Sequence, residues 1–257
     1  MTQLTLVGGG PSGPSEEWTP ASPTSSGGVS AEHWYRADQG TWQDAGITVA
    51  DDDAEVVGRW EDLTANADHV NQTTAANKPI LKLNIIYGHP VIRFDGSNDT
   101  LIGTYTNGGS MSQPITVFAV AVLSATADTV KHLIDGTATG HRPILRQSDE
   151  GAAGLWGIAA ATSVVGGASD TNWNIWTALF NGASSQLWLN GVSELTGDAG
   201  TNDGAGLRVG TNTSGLAGWL GDIAELIFFD AELSDADKDE VGHYLADRYG
   251  IAYTDIS

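Results

Sequence analysis

The sequence contains no cysteine, which excludes a disulfide framework and thiol chemistry. Basic residues are scarce as well, because 11 Lys and Arg stand against 32 Asp and Glu and give a formal net charge of −21. Phosphate binding needs clustered cations, so this balance argues against nucleic acid and anionic membranes as partners. The longest apolar run, residues 115–123, is too short to span a bilayer.

The N-terminal residues lack the features of a secretory signal, since they have no basic stretch and only a short apolar run. Residues 8–28 are instead rich in Gly, Pro and Ser, a composition that is typical of linkers. The remaining length suits one large domain. We therefore divide the chain into an extended N-terminal arm, residues 1–28, and one folded domain, residues 29–257.

The arm has the features of an attachment segment. Residues 2–7 alternate in polarity as a strand does and are suited to extending the edge of a partner's sheet. Trp18 is suited to a pocket in the partner, and Leu4 and Leu6 add apolar area. We predict that these three side chains attach the arm to another protein; the alternative is a flexible leader.

The folded domain is predicted to be all-β, because a dozen short apolar segments alternate with turn residues. Residues 115–123 and 223–229 are apolar at both parities, which predicts strands near the centres of two packed antiparallel sheets. Asn190 and Gly191 interrupt residues 186–195 at the middle, and this pair predicts a hairpin with a type I′ turn.

Residues 234–249 are predicted to form the longest helix of the chain. Ser234 is suited to the N-cap, and Asp237 occupies the capping-box position three residues later. Arg248 lies in the last turn, where a cation complements the helix dipole. Gly250 then ends the helix, since glycine readily adopts the left-handed conformation required there.

Residues 221–250 contain Gly-Asp-Ile-Ala-Glu-Leu-Ile-Phe-Phe-Asp followed by a helix that ends in Tyr-Leu-Ala-Asp-Arg-Tyr-Gly. This pattern resembles the last strand and C-terminal helix of bacterial and phage LamG-like domains, of the concanavalin A-like superfamily. Residues 33–38, 57–64 and 88–101 agree with the resemblance, which spans about residues 31–252. It implies a two-sheet antiparallel jelly roll with one C-terminal helix, but little about function, because the superfamily hosts lectins, glycosidases, adhesion modules and virion parts.

A pair of catalytic carboxylates is one possible site, because related jelly rolls include glycosidases. Those enzymes place two acids at alternate positions of one strand, so that both side chains share a face. Here the strand acids nearest to Glu225 are Asp222 and Asp230, and both lie at odd offsets that predict the opposite face. We therefore predict no catalytic residues and a domain that is not an enzyme.

Tryptophans offer a second kind of site, since aromatic faces stack on sugar rings. Most of the nine Trp residues lie in apolar strands and are predicted to be core. Trp42, Trp156 and Trp173 lie at loops or strand ends and are the predicted glycan-binding residues.

Oxygen ligands for a cation occur at one predicted turn. Asp95, Asn98 and Asp99 carry hard oxygen atoms of the kind that Ca²⁺ prefers. The alternative is that Asp95 and Asn98 hydrogen-bond their own turn. Ca²⁺ is the sole cofactor that the sequence suggests.

Three classes of function fit these features. The first is a virion surface protein, a phage decoration, fibre or receptor-adhesion subunit, which the arm attaches to other capsid or tail proteins and which binds a host-surface glycan. In that class we expect a homo-oligomer, with neither nucleic acid nor membrane as a partner. The second is a carbohydrate-binding module of an exported bacterial protein, and the third is a glycoside hydrolase or lyase. The sequence favours the first, located on the virion surface.

Overall fold

The computed structural model describes residues 18–106, 110–126, 129–149 and 154–257. These residues form 17 strands, which build two antiparallel sheets, and one helix of 15 residues. The strands are β1 (His33–Arg36), β2 (Thr41–Trp42), β3 (Arg59–Trp60), β4 (Val70–Asn71), β5 (Ile80–Ile86), β6 (His89–Asp95), β7 (Leu101–Thr104), β8 (Ile115–Leu123), β9 (Lys131–Asp135), β10 (Ile144–Ser148), β11 (Leu155–Ala159), β12 (Ser163–Ala168), β13 (Asn174–Phe180), β14 (Ser185–Leu189), β15 (Val192–Gly197), β16 (Gly206–Val209) and β17 (Leu220–Phe229). The helix is α1 (Asp235–Tyr249).

The strand order confirms the predicted all-β sandwich. Sheet A runs β15-β14-β13-β8-β17-β6-β5, and β1 also pairs with β17. Sheet B runs β12-β11-β10-β9-β16-β7-β4-β3-β2. Neighbouring strands are often distant in sequence, as the crossing connections of a jelly roll require. Within the described residues, no helix is long and apolar enough to cross a membrane.

Strands β8 and β17 occupy central positions, as the sequence predicts, but both belong to sheet A and lie side by side there. Their apolar residues alternate between two cores. Val117 and Ala119 of β8 face the main core between the sheets, whereas Phe118 and Val120 face a second core on the outer side of sheet A. Helix α1 closes that second core with Val241, Leu245 and other residues. Both strands are therefore apolar at both parities because an apolar layer covers each face.

Three local predictions are confirmed by the structure. Asn190 and Gly191 have φ angles of 52° and 81°, which are the positive values that a type I′ turn needs. The Ser234 side chain accepts a hydrogen bond from the Asp237 amide at 3.2 Å, as an N-cap does. Gly250 ends α1 in the left-handed conformation with φ of 65°.

The N-terminal segment from Trp18 to Gly28 packs against α1 rather than standing apart as a linker. The Trp18 ring contacts Tyr244 edge-on, with 5.7 Å between ring centroids. The amides of Ser26 and Gly27 donate to Asp237 Oδ1 at 2.9 and 3.1 Å. Trp18 is therefore partly covered by α1 of the same chain, and its attachment to another protein stays a prediction.

The remaining predicted attachment residues, Leu4 and Leu6, lie outside the described residues.

Candidate functional site

The outer face of sheet B carries a cleft of about 450 Å³ near strands β9 to β12. Strand alternation explains which side chains line it: Leu145 faces the main core, so Arg146 faces outward. Arg146 lies opposite His132 on β9 and opposite Gly157 on β11. Gly157 has no side chain, and a Cβ there would lie 3.0 Å from Val165 Cγ1 and 3.6 Å from Arg146 Nε.

We call this the arginine cleft, because Arg142 and Arg146 supply the charge in its lining. Ser163 and Asn202 add polar groups, and Ile144 and Ala159 are among its apolar residues. Arg146 Nη2 donates to Ser163 Oγ at 2.7 Å, which fixes one edge of its guanidinium. No Asp or Glu lines the cleft within the part of the chain that the structure describes.

Asp135 fixes the guanidinium of Arg142, the second arginine of the cleft. It is fully buried, and its two oxygens accept from Arg142 Nε at 2.9 Å and Arg142 Nη2 at 2.7 Å. The Thr213 amide donates to the same carboxylate at 3.1 Å. Burial alone would raise the pKa of Asp135, but the hydrogen bonds from Arg142, together with the nearby His132, outweigh it and hold the pKa below its usual value. Arg142 is therefore locked in one orientation.

His132 forms part of the cleft wall and is 3% exposed. Its Nδ1 lies 3.4 Å from Asp135 Oδ2 without hydrogen-bond geometry. Burial lowers the pKa of His132 and outweighs the nearby carboxylate, which favours the charged form. The imidazole is thus neutral at pH 7, and the charge of the cleft comes from the two arginines.

Neither Arg142 nor Arg146 is among the site residues predicted from the sequence. A signal for them exists, since they are four residues apart, and an even offset places two side chains on one face of an extended segment. They are also two of only 11 basic residues in the chain. What the sequence does not show is that Asp135, on the neighbouring strand, holds one of them in place.

The three predicted tryptophans do not form one site. Trp156 is 2% exposed and packs edge-on against Trp176, with ring centroids 4.6 Å apart. The prediction that it lies at the surface is wrong, because its position in β11 faces the main core. Trp173 is half-buried against the second core. Trp42 is half-buried and lines a separate cleft of about 260 Å³ at the β2 end of sheet B.

The predicted calcium residues make bonds within and beside their own turn. Asp95 Oδ1 accepts from the amides of Ser97 and Asn98 at 2.8 and 3.3 Å, and Asp99 Oδ2 accepts from the Asp95 amide at 2.9 Å. The Asn98 side-chain amide donates to Asn77 Oδ1 at 2.6 Å. Burial, with the nearby Asp95 as a smaller cause, raises the pKa of Asp99 to about 6. Calcium binding at this turn stays a prediction.

Asp222 and Glu225 share one face of sheet A, contrary to the prediction from their spacing. A β-bulge between Ile223 and Glu225 shifts the register of β17, so that Ile223 and Leu226 both face the main core. Asp222 and Glu225 consequently point to the same, outer face of sheet A, although their offset is odd. The sequence could not show this, because a bulge inserts a residue without changing the apolar pattern around it.

These two carboxylates are fully engaged by the chain itself. Asp222 accepts a bidentate pair of hydrogen bonds from Arg93 at 2.7 and 2.8 Å. Glu225 is fully buried beneath α1 and accepts from Trp34 Nε1 at 2.6 Å and Tyr249 OH at 2.7 Å. Glu225 therefore joins the sheet to the helix.

Comparison with solved structures identifies proteins that share this fold. No protein-family model and no curated protein matches this sequence. A Trypanosoma rangeli sialidase, solved with 2,3-difluorosialic acid as a covalent intermediate, aligns with a TM-score of 0.56 at 10% identity, over 87% of this chain and 34% of that one. The same sialidase solved with a difluoro-nononic acid gives a TM-score of 0.55 at 11% identity, over 92% and 37%.

A domain of an arabinanase from Geobacillus stearothermophilus, solved with arabinotriose, aligns less well, with a TM-score of 0.46 at 12% identity over 66% of this chain and 82% of that one.

These neighbours correct one prediction and confirm another. The prediction of a domain that is not an enzyme is contradicted, because the sialidases that share this fold are enzymes. The predicted β-sandwich of jelly-roll type is confirmed. This chain spans about a third of the length of the sialidases, with 34% and 37% covered. At identities of 10 and 11%, what the proteins share is the fold.

Proposed function

We propose that this chain is a carbohydrate-binding β-sandwich domain and that the arginine cleft is its glycan site. The observation that carries the proposal is that two guanidinium groups line one open cleft and that partners within the chain hold both, Asp135 for Arg142 and Ser163 for Arg146. Fixed donors lose little conformational entropy when they bind a ligand. A few oriented polar groups beside apolar surface suit a sugar, which presents both hydroxyl groups and apolar C–H faces.

The fold supports this class of ligand. The sialidases that share it were solved with sialic acid derivatives. The volume of the cleft, about 450 Å³, lies within the range of about 300–1,000 Å³ that is usual for small-ligand sites.

A glycan array followed by titration calorimetry tests the proposal. We expect the full-length chain to bind a subset of glycans and Arg146→Gln to weaken that binding at least about tenfold, which corresponds to about 1.4 kcal/mol. The matched control is Arg59→Gln, which removes the same charge from the same sheet but lies outside the cleft lining. The proposal fails if no glycan binds the full-length chain, or if both variants weaken binding equally.

Trp42 marks a second glycan site in the proposal, because it is the predicted aromatic residue that lines a cleft. Stacking there would leave binding at the arginine cleft unchanged, so Trp42→Ala separates the two sites. A glycan whose binding is lost in Trp42→Ala but kept in Arg146→Gln belongs to the Trp42 cleft.

We also propose that the domain is displayed on a virion surface, where other capsid or tail proteins hold a homo-oligomer of it. The support is the resemblance of residues 221–250 to phage LamG-like domains. Because residues 18–28 pack against α1, the proposed attachment segment is residues 1–17 with Leu4 and Leu6. A chain that begins at residue 18 should fold but fail to bind purified particles. Equal particle binding by both chains would favour a module of an exported protein.

A further inference from the structure

We infer that the arginine cleft is one end of a longer groove and that its ligand is an oligosaccharide, which places a second sugar residue beyond Asn202. The inference rests on the proposed function and adds the length of the ligand. It follows from a second cavity that adjoins the arginine cleft, from the hydrogen bonds that hold the walls of both cavities, and from the polar groups that line the second one.

The second cavity has a volume of about 560 Å³. Asn202 lines both cavities, so they meet at this residue. A second stretch of chain also connects them, because Thr139 lines the arginine cleft and the next residue, Gly140, lines the second cavity. We call the two cavities together the extended groove. Both volumes lie within the range of about 300–1,000 Å³ that is usual for small-ligand sites, so each cavity suits at least one sugar residue.

One wall of the extended groove is the turn at residues 138–142. The His141 amide donates to the Ala138 carbonyl at 3.0 Å, which closes the turn. The His141 ring contacts the Asp203 carboxylate through Nδ1 and Oδ1. The next residue, Arg142, is bound to the buried carboxylate beneath the cleft. The turn is thereby tied both to the neighbouring wall and to sheet B.

Gln113 holds the second wall, at residues 200–204. Its Nε2 atom donates to the carbonyls of Gly200 and Asn202 at 3.0 and 2.8 Å, and its Oε1 atom accepts from the Gly182 amide at 2.7 Å. One side chain thus fixes three backbone groups on two loops. A groove whose walls are already ordered loses little conformational entropy when it binds a ligand.

The polar groups of the second cavity suit the hydroxyl groups of a sugar. The side-chain amide of Asn202 carries donors and an acceptor at the junction, and Asp203 supplies acceptor oxygens. Ser112 and Thr201 add hydroxyl groups, which both donate and accept. Sugar hydroxyl groups have the same two roles, so this mixed lining can pair with them. A sugar residue linked to the one in the arginine cleft would therefore meet matching groups past Asn202.

The dependence of affinity on chain length tests the inference by titration calorimetry on the full-length protein. The probe is the strongest-binding glycan of the array that Arg146→Gln weakens, with forms of it shortened from either end to two and to one sugar residue. The best two-residue form should bind at least about tenfold more tightly than the best one-residue form, because a linked second contact forms within the complex and needs no second encounter.

Gly140→Phe places a bulky side chain at the second cavity without straining the turn. The φ angle of Gly140 is outside the left-handed region, and a Cβ there meets no heavy atom of the described residues within 4 Å. We expect this variant to lower the affinity of the two-residue form to that of the one-residue form and to leave the one-residue affinity unchanged. Thermal unfolding checks that the variant is folded.

Thr201→Val is a milder change, since it removes one hydroxyl group at nearly constant volume. It should weaken the two-residue form about two- to tenfold, the worth of one hydrogen bond, and leave the one-residue form unchanged. Thr196→Val is the matched control, because Thr196 is exposed on β15 and lines neither cavity. It should leave the affinity of both forms unchanged.

Different failures are distinguishable. Equal affinity of the one-residue and two-residue forms overturns the inference and leaves the proposed glycan site standing. Tighter binding of the two-residue form that survives Gly140→Phe also overturns it, because the second residue would then lie elsewhere. If Arg146→Gln weakens the binding of no glycan on the array, the proposed function itself is wrong.

Discussion

Each outer face of the sandwich contains a fully buried carboxylate, Glu225 on one and Asp135 on the other. Their pKa values are shifted in opposite directions. Glu225 lies under α1 and is held mainly by neutral donors, the indole of Trp34 and the hydroxyl groups of Tyr244 and Tyr249. Burial dominates there and raises the pKa of Glu225. Asp135 lies beneath the cleft, where the hydrogen bonds from Arg142 and the proximity of His132 outweigh burial and lower its pKa. Burial alone therefore does not decide which form a carboxylate favours.

The difference between the two faces follows from what covers them. Sheet A is covered by α1, and its carboxylate, Glu225, joins Trp34 of β1 to Tyr244 and Tyr249 of the helix. Sheet B has a cleft on its outer face, and its carboxylate holds an arginine at the edge of that cleft. A buried carboxylate thus stabilises the packing of the helix on one face, and another positions an arginine on the other face.

The largest expected effect is at Glu225. Glu225→Ala removes the acceptor of three buried donors at 2.6, 2.7 and 3.0 Å. We expect the free energy of unfolding to fall by about 3–5 kcal/mol, because three buried donors lose their acceptor at a cost of about 1–3 kcal/mol each. Glu225→Gln is the matched control, since it keeps the volume and one oxygen and should lose less. Urea unfolding at pH 7 measures both, and a loss below about 1 kcal/mol for Glu225→Ala would contradict the assigned role.

Arg142→Gln should have the next largest effect, because it leaves Asp135 buried without its guanidinium. The expected loss is about 1.5–3 kcal/mol at pH 7, the worth of hydrogen bonds to a charged group. The folded pKa of Asp135 is below its unfolded value, so the stabilisation is present above the unfolded pKa and disappears as pH falls through the folded pKa. The deficit of the variant should therefore shrink on acidification.

A double variant sharpens the same comparison. Asp135→Asn combined with Arg142→Gln removes the buried charge together with its partner and should recover most of the loss. If the double variant is less stable than Arg142→Gln alone, the carboxylate is held by contacts other than the guanidinium.

The third effect concerns the segment that completes the covered face. A chain that begins at residue 29 loses the contact of Trp18 with Tyr244 and the hydrogen bonds from Ser26 and Gly27 to Asp237. We expect a loss of about 1–2 kcal/mol in the free energy of unfolding, from one aromatic pair and two hydrogen bonds. A chain that begins at residue 18 is the control and should match the full length. Equal stability of all three chains would restore a domain boundary at residue 29.

The sequence predicts the parts of the fold that depend on local patterns. Strand β8 matches its predicted bounds, and the Asn190 turn and the caps of α1 follow from single residues with known preferences. The bulge in β17 could not be predicted, because it changes which face Glu225 occupies without changing the apolar pattern. The prediction misplaced Trp156 because β11 has only five residues, and so short a segment gives little indication of which side chains face inward.

The arginine cleft depends on long-range pairing, which no local pattern reports. Arg146 meets His132 and Gly157 only after β9, β10 and β11 pair. Asp135 reaches Arg142 across a loop, and Ser163 reaches Arg146 from beyond β11. The even offset of the two arginines was visible in the sequence, whereas the partners that orient them were not.

The smallest expected effect is at Asp99. This residue lies in the turn that connects β6 of sheet A to β7 of sheet B. Like that of Glu225, its pKa is raised. Burial raises the pKa of Asp99 from 3.8 to about 6, with the nearby Asp95 as a smaller cause. Because the pKa of Asp99 is higher in the folded state than in the unfolded state, its ionisation lowers the stability of the fold. This loss grows as the pH rises from the unfolded pKa to the folded pKa. Asp99→Asn removes this cost and keeps an oxygen to accept from the Asp95 amide. We expect the variant to be about 1 kcal/mol more stable at pH 7 and equal to the wild type below about pH 4.

Calcium provides the second half of this test. A cation bound by Asp95, Asn98 and Asp99 would balance the two carboxylates, so millimolar Ca²⁺ should raise the melting temperature of the wild type and not that of Asp99→Asn. The melting temperatures of both proteins, with Ca²⁺ and with a chelator, give the comparison. If Ca²⁺ shifts neither protein while the pH-dependent difference persists, the turn is closed by its own hydrogen bonds and the predicted cation site is wrong. If the variant is less stable than the wild type at pH 7, the charged carboxylate stabilises the turn, and the cost assigned to its burial is wrong as well.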